Sequence, residues 1–340
     1  MRKAILLGLT AIVYVLLSVN ASVDKVHYKI AVVPWVGWSP VHVAEAMGFW
    51  RDLGVDVEVV NMESNIQMYQ ALIAGDVTIQ FDMLGTAVGR YQEGHPVAII
   101  AETDWSDGGD KIIAKRDLDL IAHKHNTVGV YLDEPSLSYF LNLYLSSHGL
   151  QVADFTLQQE TPADGLTMFV DGKFKILMAY DPFATTAVEN GKGEVVATSA
   201  DYPGSVPEGM LMLQTTYQQT PKADLEKIIR GWVKAVVWIN EPGNWQQYQQ
   251  ILNDRTFAGD KPRSEVELKK LLGEVRIHSP QQMFERNKKG GATEAFLEDM
   301  RRFLKANQML KRDFSPDQIF ANDVVHAALI NQEPGKQESK

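Results

Sequence analysis

The side chains of this sequence best equipped for chemistry are four aspartates, Asp82, Asp104, Asp133 and Asp181. Each follows a short apolar run that reads as a strand, and so do Trp35, Trp38, Trp105 and Tyr180. Ser39, Asn61 and Ser106 hold equivalent places. Carboxylates beside aromatic faces suit a cation or an amine-bearing heterocycle. A nitrate or sulfonate would meet like charge unless a basic group intervened, and the loops concerned contain no arginine. Two plainer readings stand beside this one. An Asp at a strand end often caps the next helix, and Asp181 before Pro182 is such a candidate. A tryptophan can simply fill a domain face. The N–H groups opening the helix after Ser39 offer a cradle for an anion instead.

Patterns of other chemistry are missing. No nucleophile elbow, phosphate loop or dinucleotide fingerprint occurs. Gly191-Lys192-Gly193 lacks a third glycine, and His123 with His125 lacks a third ligand in a basic, loop-like stretch. Asp104, Asp107 and Asp110 recur every three residues, which is not a calcium-loop spacing. We therefore expect no metal, no cofactor and no enzymatic activity.

The elements that position these residues alternate. Strands are expected at 29–35, 55–60, 77–81 and 96–101, with helices from Ser39-Pro40 to Gly54, around Ile66 to Ile73, and over 84–91. That βαβ series is the signature of a parallel α/β sheet. A second series follows a charged stretch at 115–124: strands at 127–131, 155–159, 175–180 and 194–198, and helices at 136–150, 163–170 and 182–190. An apolar run at 210–214 returns to the first series. From Thr220 the chain turns helical, with Leu225, Ile228, Ile229, Trp232, Val236 and Ile239 at a 3.6-residue period. Later helices are expected at 264–273, 280–287 and 293–310, with short capped ones after Ser315 and Asn322.

The ends read differently. Arg2 and Lys3, an uncharged stretch over 4–17 and Val19-Asn20-Ala21 form a secretory signal pattern with cleavage after Ala21; an uncleaved anchor is the alternative. The mature chain is thus expected in the periplasm. Residues 332–340 are polar and are expected to form a disordered tail. The 340 residues, 45% hydrophobic and 22% charged, suffice for two domains with real cores. A net charge of −10 argues against nucleic-acid binding. The absence of cysteine excludes disulfides, thiolate metal sites and a cysteine nucleophile.

Particular segments carry a family resemblance. Val33-Pro34-Trp35, Ser39-Pro40 and Ala44 with Met47-Gly48-Phe49-Trp50 resemble the opening of nitrate/sulfonate/taurine-type binding proteins of ABC importers. So do Leu53-Gly54 leading into Val55–Val59, the Ala71–Thr78 stretch, Asp104-Trp105-Ser106 with Gly108-Gly109-Asp110, and the helix over 221–240. The wider group includes pyrimidine-binding proteins and a thiamine-pyrimidine synthase. The resemblance implies an α/β, two-lobed type II periplasmic binding fold with a hinged ligand cleft and a solute handed to a membrane permease. The domains expected are lobe I over 22–117 plus 210–331, with its helical C-terminal part, and lobe II over 118–209. The ligand residues expected are Trp35, Trp38, Ser39, Asn61, Asp82, Asp104, Trp105, Ser106, Asp133, Tyr180 and Asp181. The reading is a monomeric solute-binding protein for a small nitrogen-containing amine or heterocycle. Its alternatives are a sulfonate or taurine binder, a periplasmic ligand sensor, and a pyrimidine-synthesis enzyme, which the missing cysteine disfavours.

Overall fold

The computed structural model describes residues 26–131 and 135–330. The expected signal peptide, the polar tail and Asp133 lie outside the described residues.

The first lobe begins with β1 (His27–Val32), whose Ile30, Ala31 and Val32 are fully buried. A turn leads to α1 (Pro40–Ala46), with proline at its first position, then α2 (Phe49–Asp52) and β2 (Asp56–Asn61). α3 (Asn65–Ala74) is capped by Ser64 and ends at Gly75, which takes the left-handed conformation. β3 (Ile79–Met83), α4 (Leu84–Gln92) and β4 (Val97–Ser106) complete the βαβ series. The second lobe holds β5 (Lys111–Lys115), β6 (Thr127–Val130), α5 (Pro135–Ser147), β7 (Thr156–Gln159), α6 (Pro162–Val170), β8 (Ile176–Ala179), α7 (Phe183–Asn190) and β9 (Gly193–Thr198).

The chain then returns as β10 (Pro207–Leu213), followed by α8 (Gln214–Gln219) and α9 (Lys222–Ile239). The C-terminal elements are α10 (Trp245–Ile251), α11 (Glu265–Leu272), β11 (Val275–Ile277), α12 (Pro280–Asn287), α13 (Ala292–Ala306) and α14 (Asn322–Ile330).

The first sheet has the order β11-β4-β10-β3-β1-β2 and the second β7-β6-β8-β5-β9. β1 pairs in parallel with β2 and β3, as the βαβ pattern requires. β10 is inserted antiparallel between β3 and β4, so the returning strand lies in the middle of the first sheet. The sheets divide the chain earlier than expected. Lys111–Lys115 pairs with β8 and β9, so the crossover precedes residue 117, and Pro207–Gly209 already belongs to the first sheet. The sequence reading did not anticipate β5 because its apolar Ile112-Ile113-Ala114 is short and flanked by lysines.

The C-terminal helices pack on the first lobe. α9 buries Leu225, Ile228, Ile229, Trp232 and Val236, and Ile228 O accepts the Trp50 indole N–H at 2.9 Å. Trp232 packs on Phe81 at 5.1 Å between ring centroids, and Phe81 packs on Trp38 at 5.8 Å. This run of rings carries the core of α9 through β3 to the loop after β1.

Gly209 is where β10 presses on β4: a Cβ there would stand 2.0 Å from the Ala101 carbonyl oxygen. Gly209→Ala is therefore expected to destabilise the protein by about 1–3 kcal/mol or more, read from its denaturant midpoint. Gly54→Ala, where nothing lies within 4 Å but φ is +74°, should cost only about 1 kcal/mol.

Candidate functional site

A cavity of about 770 Å³ opens between the lobes. Pro34, Trp35, Trp38, Ser64, Asn65, Met83 and Glu208 line it from the first lobe, and Asp110, Tyr131, Thr161 and Tyr180 from the crossover and the second lobe. Its size is that of a small-molecule site.

Local sequence explains how the rings arrive there. Residues Val36–Trp38 form a single 3-10 turn directly after Trp35. The turn brings both indoles to one acceptor: Trp35 Nε1 donates to Glu208 Oε2 at 2.7 Å, and Trp38 Nε1 donates to the same oxygen at 2.8 Å. Gly37 permits this, since a Cβ there would lie 2.5 Å from Asp104 Oδ2 and 2.6 Å from Trp35 Nε1. Gly109 likewise leaves room for the Trp35 ring, 2.6 Å from where its Cβ would be. On the facing wall the Tyr131 hydroxyl donates to Asp110 Oδ1, and Tyr131 meets Tyr180 edge-to-face at 5.0 Å.

Trp35, Trp38 and Tyr180 thus line the cavity as the sequence suggested. The other expected residues are engaged elsewhere. Ser39 is fully buried and bonds Val36 O and the Tyr248 hydroxyl, at 2.6 and 2.7 Å. Asn61 ends β2; its Oδ1 accepts from His42 Nε2 at 2.8 Å and its Nδ2 donates to Arg255 O at 2.6 Å. Asp82 lies within β3, not beyond it, and collects donors: Asn65 at 2.9 Å, Gln80 at 2.9 Å, Met83 N at 2.9 Å and Thr86 at 3.2 Å. It is a buried anchor for the start of α4. Burial pushes its carboxyl up to about 6, although the Met83 N–H and the side-chain donors work against that.

Asp104, Trp105 and Ser106 fall inside β4, which runs past the expected end at 101. Trp105 turns away from the cavity, stacking edge-on against His278 at 5.0 Å and under the Arg286 guanidinium at 4.6 Å. Ser106 fastens the crossovers: its Oγ lies 2.8 Å from Ser199 Oγ and accepts the Asp110 N–H at 3.0 Å. Asp104 sits beneath the cavity, fully buried, directly opposite Glu208 across the β4–β10 ladder.

Asp181 is the cap the plainer reading proposed, and also a bridge. Its Oδ1 accepts Thr185 N at 3.1 Å and the Thr185 hydroxyl at 2.8 Å. Its Oδ2 lies 3.1 Å from Lys270 of the first lobe and 3.5 Å from Lys111, which reaches Glu274 at 3.3 Å. Burial opposes ionisation, but Thr185 and the two ammonium groups hold Asp181 below its ordinary value.

The sequence reading missed Glu208, Asn65, Tyr131 and Thr161, and did not count Asp110 among the ligand residues. Signals existed for some of them. Ser64 and Thr161 cap α3 and α6, accepting Gln67 N at 3.2 Å and Asp164 N at 3.1 Å, and so place two helix N-termini on the cavity. Among the described residues, no group of three or more His, Cys, Asp or Glu is arranged to hold a metal ion.

Two α/β lobes, joined by crossing strands around a cleft, form the periplasmic binding protein fold. The chain belongs to the NMT1-like family, matching its sequence profile over residues 21–253. The resemblance to nitrate- and sulfonate-type binding proteins is borne out by solved structures. The nitrate-binding protein NrtA of Synechocystis PCC 6803 superposes with a TM-score of 0.64 at 16% identity, covering 91% of this chain and 90% of that one. The aliphatic sulphonate binding protein SsuA of Escherichia coli gives 0.64 at 15%, covering 86% and 91%. A ligand-binding component of an ABC-type import system from Staphylococcus aureus, solved with zinc bound, gives 0.67 at 12%, covering 89% and 99%. A curated relative, YtlA of Bacillus subtilis (strain 168), provisionally named a binding protein, is 23% identical over 215 residues; the match covers 59% of this chain and 62% of that protein's length. The named members of this set are binding proteins rather than enzymes.

Asp181→Ala removes the α7 cap and one end of the bridge, and should lower stability at pH 7 by about 1–2 kcal/mol. A carboxyl held below its unfolded value stabilises above that value and stops doing so as pH falls through the folded one. Thermal midpoints of wild type and variant should therefore converge on acidification below about pH 4.

Proposed function

We propose that this chain is the extracytoplasmic solute-binding component of an ABC importer, a monomer that closes its lobes on a small nitrogen-containing solute and presents it to a membrane permease. The observation that carries the solute class is the cavity wall. Glu63, Asp110, Glu160 and Glu208 supply carboxyls to it, Trp35, Tyr131 and Tyr180 supply rings, and no Lys or Arg stands among its described lining residues. An amine or protonated heterocycle gains from both features, through charge and through ring faces. The periplasmic setting rests on the N-terminal signal pattern and on the relatives named above. No step of capture and release requires bond-making, so the reading needs no catalytic residue.

A second reading has its own support. The α3 and α6 N-termini, capped by Ser64 and Thr161, turn the positive ends of their dipoles toward the cavity, and nitrate and sulphonate appear in the names of the fold relatives. An oxyanion held there would have to tolerate Glu63 and Glu160 immediately ahead of the two helices.

Native mass spectrometry of the purified protein, followed by thermal-shift measurements with amines, pyrimidines, sulfonates and nitrate, decides between them. A solute of micromolar Kd present at 1 mM stabilises the folded chain by about 4 kcal/mol. The expected outcome is a raised midpoint with one or more amines or pyrimidines. Stabilisation by sulfonates or nitrate, with no response to any nitrogenous cation or heterocycle, would sink the proposed solute class.

A further inference from the structure

The acids buried in the centre of the first sheet are not treated alike. Glu102 on β4 is fully buried and answered on every side: His278 Nε2 at 2.9 Å, the Arg286 guanidinium, and the Thr293 hydroxyl at 2.6 Å. Two residues further along the strand, Asp104 is equally buried, and no cation stands beside it among the described residues. Its Oδ1 accepts the Thr103 hydroxyl at 2.7 Å, while its Oδ2 is buried with no donor among the described residues. Glu208, directly opposite on β10 and 2% exposed, has no cation either. Its Oε2 is taken by the two indoles.

Two adjoining carboxylates in so dry a place cannot both be ionised without a large electrostatic cost. A proton on Glu208, donated toward Asp104, relieves the repulsion and gives the orphaned Oδ2 its missing donor. Burial pushes both groups upward: Asp104 to about 7, with the Glu102 charge adding to it and hydrogen bonds from Glu208 and Thr103 opposing it, and Glu208 well above the usual carboxyl range, with the Asp104 charge adding to it. The surrounding charges do nothing to reverse this. Glu102 stays anionic beside His278 and Arg286 and its charge adds to the upward push on Asp104, Asp82 on β3 is satisfied by neutral donors, and Asp110, which accepts the Tyr131 hydroxyl, adds negative charge from the crossover. Lys111, next to Asp110, is engaged with Asp181 and Glu274.

Glu208 also lines the cavity. We infer that Glu208 and Asp104 share one exchangeable proton at the cavity floor, and that a cationic solute binds by replacing it, which makes Glu208 the residue that reads the solute's charge. This deepens the proposed function and rests on its nitrogenous solute. The exchange balances: the solute enters as a cation, the carboxyl pair gives up its proton to water, and the net charge of the site is unchanged. A neutral or anionic solute has no such exchange to make. Where the pair still carries its proton, apparent affinity for a cation must rise about tenfold per pH unit, and it levels off once the proton is lost.

The test uses the full mature chain and benzylammonium chloride, a ring bearing an ammonium group that stays largely protonated over the range tested, with sodium chloride and sodium methanesulfonate as controls. Thermal midpoints are read between pH 5.5 and 8.5 for the wild type, Glu208→Gln and Asp104→Asn. A raised carboxyl stabilises below its folded pKa and loses that contribution as pH rises through it. The wild type is therefore expected to lose stability as pH rises, relative to either variant. Benzylammonium should restore the midpoint at high pH, with an apparent affinity at least tenfold greater at pH 8 than at pH 6, and Glu208→Gln should abolish that pH dependence. Asp104→Asn reports the same loss if Glu208→Gln fails to fold. Wild-type and variant profiles that run parallel overturn the shared proton whichever solute binds. A pH-dependent difference without any pH-dependent response to benzylammonium overturns the replacement step. Stabilisation by methanesulfonate alone, with the pH-dependent difference intact, overturns the nitrogenous solute instead and leaves the proton demonstrated.

Discussion

The antiparallel insertion of β10 between β3 and β4 is the constraint on which the remaining structure depends. A chain that leaves the first sheet at Ser106 and re-enters its centre at Pro207 ties the two lobes together by two passages rather than one. Those passages are pinned to each other where Ser199 Oγ meets Ser106 Oγ at 2.8 Å and accepts the Gly108 N–H at 2.7 Å. The same insertion sets Glu208 opposite Asp104, above the turn that delivers Trp35 and Trp38. Irregular register at Glu208 and Gly209 accompanies the close approach of the two backbones. Fold and site therefore share a single strand pairing.

That pairing also explains why acid is tolerated in so apolar a layer. A buried carboxylate is sustainable when hydrogen bonds or a cation replace its lost hydration. Asp82 relies on neutral donors and Glu102 on Arg286 and His278. Removing one partner from such a cluster would strand the charge that remains, so each arrangement is self-enforcing. Asp104 Oδ2 has neither remedy among the described residues, and Glu208, directly opposite it, lines the cavity. The unfinished electrostatics of the sheet thus lie where a solute can complete them.

Much of this was legible in the sequence, and the failures have physical causes. The βαβ rhythm, the glycine stop at Gly75 and the amphipathic helix over Lys222–Ile239 are local patterns, and they appear where the periodicity places them. Trp35 and Trp38 were found because the turn after a first strand must face a cleft in this class of sheet. β4 was cut short because Glu102-Thr103-Asp104 reads as polar loop, although each of these residues is fully buried. Glu208 escaped notice for the same reason: it precedes the apolar run Met210–Leu213 that announces β10. A charged residue in a central strand is legible only once its long-range partners are known. Asp181 shows the converse, since its capping role is local and visible, whereas Lys270 lies 89 positions away.

The lobes meet through apolar, aromatic and charged contacts. α5 touches the first lobe through Ser136, packed against Gly85, and through Tyr139, whose ring meets Phe296 at 5.8 Å and Phe303 at 5.5 Å. The Lys111–Glu274 and Lys270–Asp181 pairs add charge across the same divide. Aromatic edge contacts contribute about 0.5–1.5 kcal/mol each and partly exposed ion pairs about 0–1 kcal/mol. Buried apolar packing adds to these, since Leu137, Phe140 and Leu141 of α5 belong to one continuous core with Leu84, Ala87 and Val88 of α4. On the proposed reading, a solute touching both Glu208 and Tyr131 would favour the closed arrangement. Because those two residues belong to different lobes, the binding energy of such a solute would be expressed as closure.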